Sequence, residues 1–570
     1  SFQTTSTSEE VYIYAADNGN ISYQGNGSSG IYVWGVQLEA LSYTTSYIPT
    51  NGATSTRLQD IANNSGNSTL INSTEGVLYV DIAALTDLGS YRLISLNSDN
   101  SSSNRITIAY DVVNNQIYGQ CVAGGVSQAL FTTQPTSISD FNKIALKYKA
   151  NDLAFWVNGF EVGTNTSASI PTNLNRLSFD RADAAAFFYG KNKAVAVWKE
   201  ALTDTELELL TAPTPEFPTF SLDFDTIAEQ FTFTRGSEAT FVNEQGLIQS
   251  TASNDAPRID YSTGVEAFLL EPQSTNLVTY SEDFSQWIKT SGATITSSYG
   301  ISPSGLQNST RLQLSTSNEQ IYIGLGTHSG NTEVASLYIK GVSGETVQFG
   351  VGNNIGQGNT ITLDGNWQRI TQESTSGTIL IIGNKDATAT DFEIWGAQLE
   401  QKSYATSYIP TDGASATRNS ETCIDATPTI NSEEGVLYAE ISALADDETS
   451  RTISISDGTN ANTVRLQYRA GVSNTIRGQV RAANSLDASI GYVTDIKDYH
   501  KVAISYKLNE VKLFVDGVLV ATDTSVAMPV GLNKLSFNQG TSGNKFYGNT
   551  KGLQVFDKAL SDYQLKQLTS

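Results

Sequence analysis

The chain is poor in the residues on which most site chemistry depends. It has two histidines, two cysteines and one methionine in 570 residues. Cys121 and Cys423 lie 302 positions apart, which supports neither a disulfide framework nor a metal pair, so both are expected as free, buried thiols. Zinc and redox metals draw on histidine and thiolate ligands, and these are too few and too scattered to supply a set. No apolar run approaches the roughly 18 residues of a membrane-spanning helix, so no membrane insertion is expected. Charge is scarce and one-sided: 34 Lys and Arg stand against 58 Asp and Glu, a net charge of −24. With no basic block, nucleic acid is a poor partner, because phosphate binding relies on clustered Lys and Arg. Heptad runs for a coiled coil are missing as well. The opening Ser1-Phe2-Gln3-Thr4-Thr5 reads as neither a signal peptide nor a natural initiator, and the chain is expected to be the ordered part of something longer.

What the sequence does have is a long string written twice. Trp34–Thr50 reads WGVQLEALSYTTSYIPT and Trp395–Thr411 reads WGAQLEQKSYATSYIPT, identical at 13 of 17 positions. EGVLYVDI at Glu75 returns as EGVLYAEI at Glu434, and LSFDRADAAAFFYG at Leu177 returns as LSFNQGTSGNKFYG at Leu535. A period of about 360 residues is far beyond the roughly 20–50 of a solenoid unit, so a two-domain cassette has been duplicated.

Most segments alternate apolar and polar residues, with turns every 8–12 residues, which predicts an all-β chain of tandem antiparallel sandwiches. Phe155-Trp156-Val157 runs into Asn158-Gly159, and Leu513-Phe514-Val515 into Asp516-Gly517, the same hairpin in both copies. One short helix closes each cassette. Thr203 with Glu206, and Ser561 with Gln564, form hydroxyl-plus-carboxyl (or amide) capping boxes at its start. Pro213, Pro215 and Pro218 mark a semi-rigid spacer over 212–218. Softer Ser/Thr/Asn-rich joints are expected at Asn51–Leu70 and Asp412–Thr429.

The closing half of each cassette resembles the laminin-G-like, concanavalin-A-like jelly rolls. The likeness rests on Tyr499–Tyr506, the hairpin Leu513–Gly517, and Phe546-Tyr547-Gly548 running to Val555–Asp562, with Phe141–Lys143, Asn158-Gly159, Tyr189-Gly190 and Ala201–Asp204 as the first-copy equivalents. Thr234–Asn243, Pro257–Tyr261 and Asn276–Trp287 resemble modules of bacteriophage tail-fibre and head-fibre proteins. There they precede a carbohydrate-binding-module-like jelly roll that ends in the WGxQLE…TSYIPT string. The resemblance implies six parts: the C-terminal part of a carbohydrate-binding-like roll (1–50), a laminin-G-like roll (71–211), the linker (212–218), a short β segment (219–278), a complete carbohydrate-binding-like roll (279–411) and a second laminin-G-like roll (430–570). It further implies a non-enzymatic virion-surface fibre or spike that attaches to host polysaccharide as a homotrimer among other virion proteins. A purely structural virion component and a polysaccharide depolymerase are the alternatives.

No E-x-D-x-x-E glucanase triplet occurs. Glu434 and Glu440, like Glu75 and Asp81, are six apart on one strand, about 20 Å, against the roughly 5–5.5 Å that retaining hydrolysis needs. No catalytic residue is therefore assigned. His500 faces Asn142 in the other copy, which suggests packing. Gly350–Gly358 lacks the Lys-Ser/Thr of a phosphate loop and reads as a turn. No cofactor is expected, although the abundance of Asp, Asn and backbone oxygen leaves a structural calcium open. The six tryptophans are expected in cores. The roomy, amide-rich loops of the complete roll supply the carbohydrate-binding candidates His328, Asn353, Asn354 and Gln357. Between the laminin-G-like copies, Asp180–Ala186 and Asn538–Asn544 differ most.

Overall fold

The computed structural model describes residues 32–570 except 42, 88, 316–317, 355–357 and 386, with backbone alone for 326–331. The described chain is almost wholly β, in antiparallel sheets with a few short helices. It divides into two compact units, Ser1–Thr214 and Pro215–Ser570.

In the first unit two five-stranded sheets face each other. One runs Gly190–Trp198, Glu75–Ala84, Asn142–Lys149, Leu153–Val157, Phe160–Asn165; the other runs Val126–Thr133, Ile117–Ala123, Ser101–Tyr110, Arg92–Ser98, Arg176–Ser178. Period-two alternation sends Leu78, Val80 and Ile82 inward against Ile94, Ile106 and Ile108, forming the core. The alternate residues are not solvated, as a one-sided sheet would have them. Val77, Tyr79, Ala145 and Trp156 pack under the helix Asp204–Thr211 through Leu207. Burying each large side chain contributes about 1.5–3 kcal/mol. The helix is held at its start by the Thr203–Glu206 capping box. At the hairpin, Asn158 (φ 51°) and Gly159 (φ 86°) take the left-handed backbone that a type I′ turn demands, and Asp516 (φ 48°) and Gly517 (φ 77°) repeat it. No strand forms over the described residues 32–50, and residues 1–31 of the expected partial roll lie outside the description.

The second unit repeats this sandwich with a larger sheet. Gly548–Phe556, the counterpart of the edge strand Gly190–Trp198, pairs on its outer side with Ala267–Leu270 and Phe220–Ser221, and Ile259–Asp260 adds beyond. The segment 219–278, expected as a separate short β segment, is thus partly built into the sheet of the C-terminal sandwich. Asp412–Thr429 is not a soft joint either. Ala416–Arg418 pairs with Ser274–Asn276, and Thr422–Ile424 pairs with Thr232–Thr234. The reason is charge: Arg418 and Glu421 are buried, and among the described residues their ion-pair partners Glu271, Arg258 and Arg235 all come from the connector 219–278.

Between these pairings sits the complete roll. Its sheet runs Ala293–Thr296, Thr310–Leu314, Asp391–Glu400, Gln320–Gly341, Gln368–Gly383, Thr346–Gly352, Asn359–Thr362, around Leu312, Ile321, Leu337, Phe349 and Ile382. The Asn276 amide donates to the carbonyls of Ala397 (3.1 Å) and Ile409 (2.8 Å), so the roll's two ends are tied together. The roll is an insertion within a domain made from the connector and the C-terminal sandwich.

Candidate functional site, an aromatic cleft over a buried ion network

The duplicated string is a locally closed turn. Gln398 Oε1 accepts from the Ile409 amide (2.7 Å), Glu400 Oε2 accepts from the Thr406 amide (2.9 Å), and the Trp395 and Tyr408 rings lie 4.6 Å apart. The first copy makes the same pattern: the Ile48 amide donates to Gln37, the Thr45 amide to Glu39 (2.8 Å), and Trp34 and Tyr47 are 4.7 Å apart. The surroundings differ, since Trp395 is 2% exposed and Trp34 84%.

Around Trp395 the string becomes the floor of a cleft of about 640 Å³. Tyr338 lies 5.6 Å from Trp395, and the Arg369 guanidinium sits 5.4 Å over the Tyr338 ring. Arg369 donates to Ser336 Oγ (2.9 Å), while its buried Nε has no partner. Trp367 is half-buried and is held in orientation by Nε1 donating to the Ile301 carbonyl (2.9 Å). The opposite wall comes from the connector, with Phe241, Val242, Asp260, Tyr261 and Ser262. Asp260 is a brace for that wall, accepting from the amides of Val242 (2.8 Å) and Ser262 (3.0 Å).

Beneath the cleft lies a fully buried network. Arg258 donates to Glu271 (2.7 Å) and Glu421 (2.7 Å), Arg235 to Glu421 (3.0 Å), and Arg418 pairs with Glu271 (2.9 Å). Burial alone would raise the Glu271 pKa. Arg418 and Arg258, with hydrogen bonds from Ser407, override it and hold the group at about 2. Glu271 is therefore a fixed carboxylate whose oxygens are occupied, an arrangement suited to positioning Ser407 and Tyr408 rather than to moving protons. What the cleft can do is present ring faces, a guanidinium and amide groups to a flat, hydroxyl-rich ligand.

The residues selected from sequence fall elsewhere on the roll. Asn353 and Asn354 are exposed in the bend after Thr346–Gly352, and Asn353 Oδ1 accepts from Thr378 Oγ1 (2.9 Å). The backbone of His328 pairs with Gly377, so Asn353 and His328 meet at neighbouring residues of one strand. Gln357 lies outside the described residues. Trp156, Trp287, Trp395, Phe514 and Phe556 are buried as expected of core positions, whereas Trp198 and Trp367 are only partly buried and Trp34 is exposed. Both cysteines are buried and unpaired. His500 is buried at 8% exposed and is also hydrogen-bonded, with Nδ1 2.6 Å from Asp516 Oδ2 and Nε2 3.0 Å from the Asp495 carbonyl. Sequence reading missed Trp367, Tyr338 and Arg369. Their only sequence signal was alternation, which puts Trp367 and Arg369 on one strand face.

The first unit has a smaller cavity of about 240 Å³ on the outer face of its second sheet. Tyr91 and Tyr118 meet edge to face at 6.1 Å there, bordered by Arg105, Gln120 and Arg181. Among the described residues no group of three or more His, Cys, Asp or Glu side chains is placed to hold a metal ion, and no helix is long and apolar enough to cross a membrane.

Residues 435–566 match the Laminin_G_3 model, described as the concanavalin A-like lectin/glucanases superfamily. No curated protein matches the chain. Similar solved structures include the Ruminococcus gnavus IT-sialidase CBM40 bound to α2,3-sialyllactose, 19% identical over 25% of this chain and 84% of that one, with a TM-score of 0.22. Domain 4 of AbnA, a GH43 extracellular arabinanase from Geobacillus stearothermophilus in complex with arabinotriose, is 12% identical over 30% and 84%, with a TM-score of 0.23. The Bacillus licheniformis β-glucanase is 13% identical over 25% and 72%, with a TM-score of 0.20.

Proposed function

We propose that this chain is a non-enzymatic glycan-binding protein, carried as a fibre or spike on a virion surface and attaching to host polysaccharide. The observation that carries the reading is the cleft floored by the duplicated string, where half-buried Trp367 and Tyr338 stand beside Arg369. Sugars present CH-rich faces that pack on rings and hydroxyls that pair with fixed donors, and this cleft offers both. The Laminin_G_3 match supports the class, since its description spans lectins and glucanases. Occupation of Glu271 and Glu421 by arginines favours the lectin side of it. The viral setting and the trimer rest on the fibre-like strings alone.

Trp367→Ala should weaken retention on a host-glycan array at least roughly tenfold, the factor that 1.4 kcal/mol supplies, with the melting profile nearly unchanged. If Asn353→Ala with Asn354→Ala weakens it and Trp367→Ala does not, the site is the exposed bend. No glycan binding with tight capsid or baseplate binding would make the chain a structural component. Release of reducing ends from the polysaccharide would make it a depolymerase.

A further inference from the structure

The outer face of the second sheet of the C-terminal sandwich carries a row of arginines that the cleft does not use. Thr463–Tyr468 and Thr475–Ala482 are neighbouring strands, with Arg465 opposite Gln479 and Gln467 opposite Arg477. Alternation turns Val464, Leu466, Ile476 and Val480 into the core and leaves Arg465, Gln467, Arg477, Gln479 and Arg481 on the other side.

These guanidiniums face no carboxylate. Among the described residues no ion pair joins Arg465, Arg477 or Arg481 to an acid, in a chain whose net charge is −24. Their contacts are neutral: Arg465 with Asn460 Oδ1 (3.1 Å), Arg477 with Gln467 Oε1 (2.5 Å), Arg481 with the carbonyls of Asn460 (3.1 Å) and Asn484 (2.7 Å). The nearest acid along the strand pair, Asp487, accepts from the Ala482 amide instead (3.0 Å). Arg465 is only 4% exposed, and its buried Nε has no partner; the same is true of Arg477 Nε. Burial, then repulsion from Arg481 and Arg477, lowers the Arg465 pKa to about 10. Gathering like charges in a poorly hydrated trough is unfavourable, and an anion lying among the three guanidiniums would offset it.

We propose that this face is a second, separate binding site, specific for the carboxylate or sulfate groups of an acidic polysaccharide. Arg477 and Arg481 are four residues apart on one strand, about 13 Å, with Arg465 beside them on the next. That span suits successive acidic groups along a glycan chain. Gln467, whose Oε1 accepts from Arg477, and Gln479, opposite Arg465, lie between the charges and fix their spacing. Nucleic acid is disfavoured, because the patch is short and the surrounding chain is acidic.

The test uses the full chain, with polygalacturonate and a sulfated galactan as probes and their carboxyl-reduced or desulfated forms as controls. Wild type should bind an acidic form and lose it as salt rises. Arg477→Gln with Arg481→Gln should weaken that binding at least roughly tenfold without moving the melting profile, and Trp367→Ala should not affect it. If that double variant lowers stability, Arg481→Gln alone, at a half-buried position, replaces it with the same expectation. Equal binding of the uncharged controls, undiminished binding by the variants, no binding of either acidic polymer at low salt, or a preference for duplex DNA or polyglutamate would each overturn the proposal. Failure here leaves the cleft reading standing, because the cleft is tested by Trp367→Ala alone.

Discussion

The two duplicated sandwiches share core, hairpin and closing helix but differ on one sheet face and one sheet edge. Where the first copy places Tyr118, opposite Ala109, the second places Arg477, opposite Gln467. The first face is an aromatic pocket with Leu93 and Tyr91, and the second is an arginine trough. At the edge, Gly190–Trp198 pairs on one side only among the described residues, whereas Gly548–Phe556 takes connector strands on the other. A duplicated scaffold has thus kept what packs and changed what faces outward. Buried positions restrict substitution through volume, while a solvated face restricts it only through what it must bind.

The edge difference can be broken at the buried network, which has no counterpart among the described residues of the first unit. Arg258→Ala removes the guanidinium shared by Glu271 and Glu421, leaving buried charge without its main partner, and should cost the second unit about 3–5 kcal/mol. In calorimetry one transition should fall while that of Ser1–Thr214 stays; movement of both would mean that the units do not melt independently.

Acid should separate the units in the same sense. Glu271 is held at about 2 against an ordinary 4.5, so the folded state binds its proton more weakly than the unfolded chain. The stabilisation is present above pH 4.5 and is lost as pH falls through about 2. That amounts to about 3 kcal/mol at most, and an acid titration followed by near-UV circular dichroism should show the second unit losing stability first.

A smaller effect sharpens the likeness. His500 and Asp516 stand where the first copy has Asn142 and Asn158, and both pairs are bonded: 2.6 Å in one, Asn158 Nδ2 to Asn142 Oδ1 at 2.8 Å in the other. Asp516 and Asn158 also each accept from the next strand's amide, Lys501 or Lys143, at 3.0 Å. His500→Asn alone should cost about 1–3 kcal/mol, and adding Asp516→Asn should recover about 1 kcal/mol of it. Strict additivity in urea melts would show that the two pairs are not equivalent.

Features set by near neighbours could be read from the sequence. Asn158-Gly159, Asp516-Gly517, both capping boxes and the Pro213–Pro218 boundary need only residues within a few positions of one another. The cleft could not be read, because Tyr261, Tyr338 and Trp367 come from three distant segments that only the roll's closure brings together. The ion network was hidden for the same reason: Arg258 and Glu421 are 163 residues apart and follow no period. The arginine face was readable in principle. A search for contiguous basic blocks passes over R-x-Q and R-x-Q-x-R, yet alternation puts such residues on one side of a strand.

The insertion of the roll has a consequence for the order of events during folding. The connector's Arg235 finds Glu421 only 186 residues later, and Asn276 finds the Ile409 carbonyl 133 residues later. Closing such a span in an open chain is entropically unfavourable. Once the roll has condensed and Asn276 is tied to Ile409, the effective loop between Arg235 and Glu421 shrinks by those 133 residues, a gain of about 1 kcal/mol at about 0.6 per halving of length. The roll is therefore the nucleus for its neighbour. During synthesis the connector can form its local pairs, Thr240–Val242 with Ile248–Ser250 and Ile259–Asp260 with Ala267–Phe268, but Thr232–Thr234 and Ser274–Asn276 wait until the roll and then residues 416–424 have emerged.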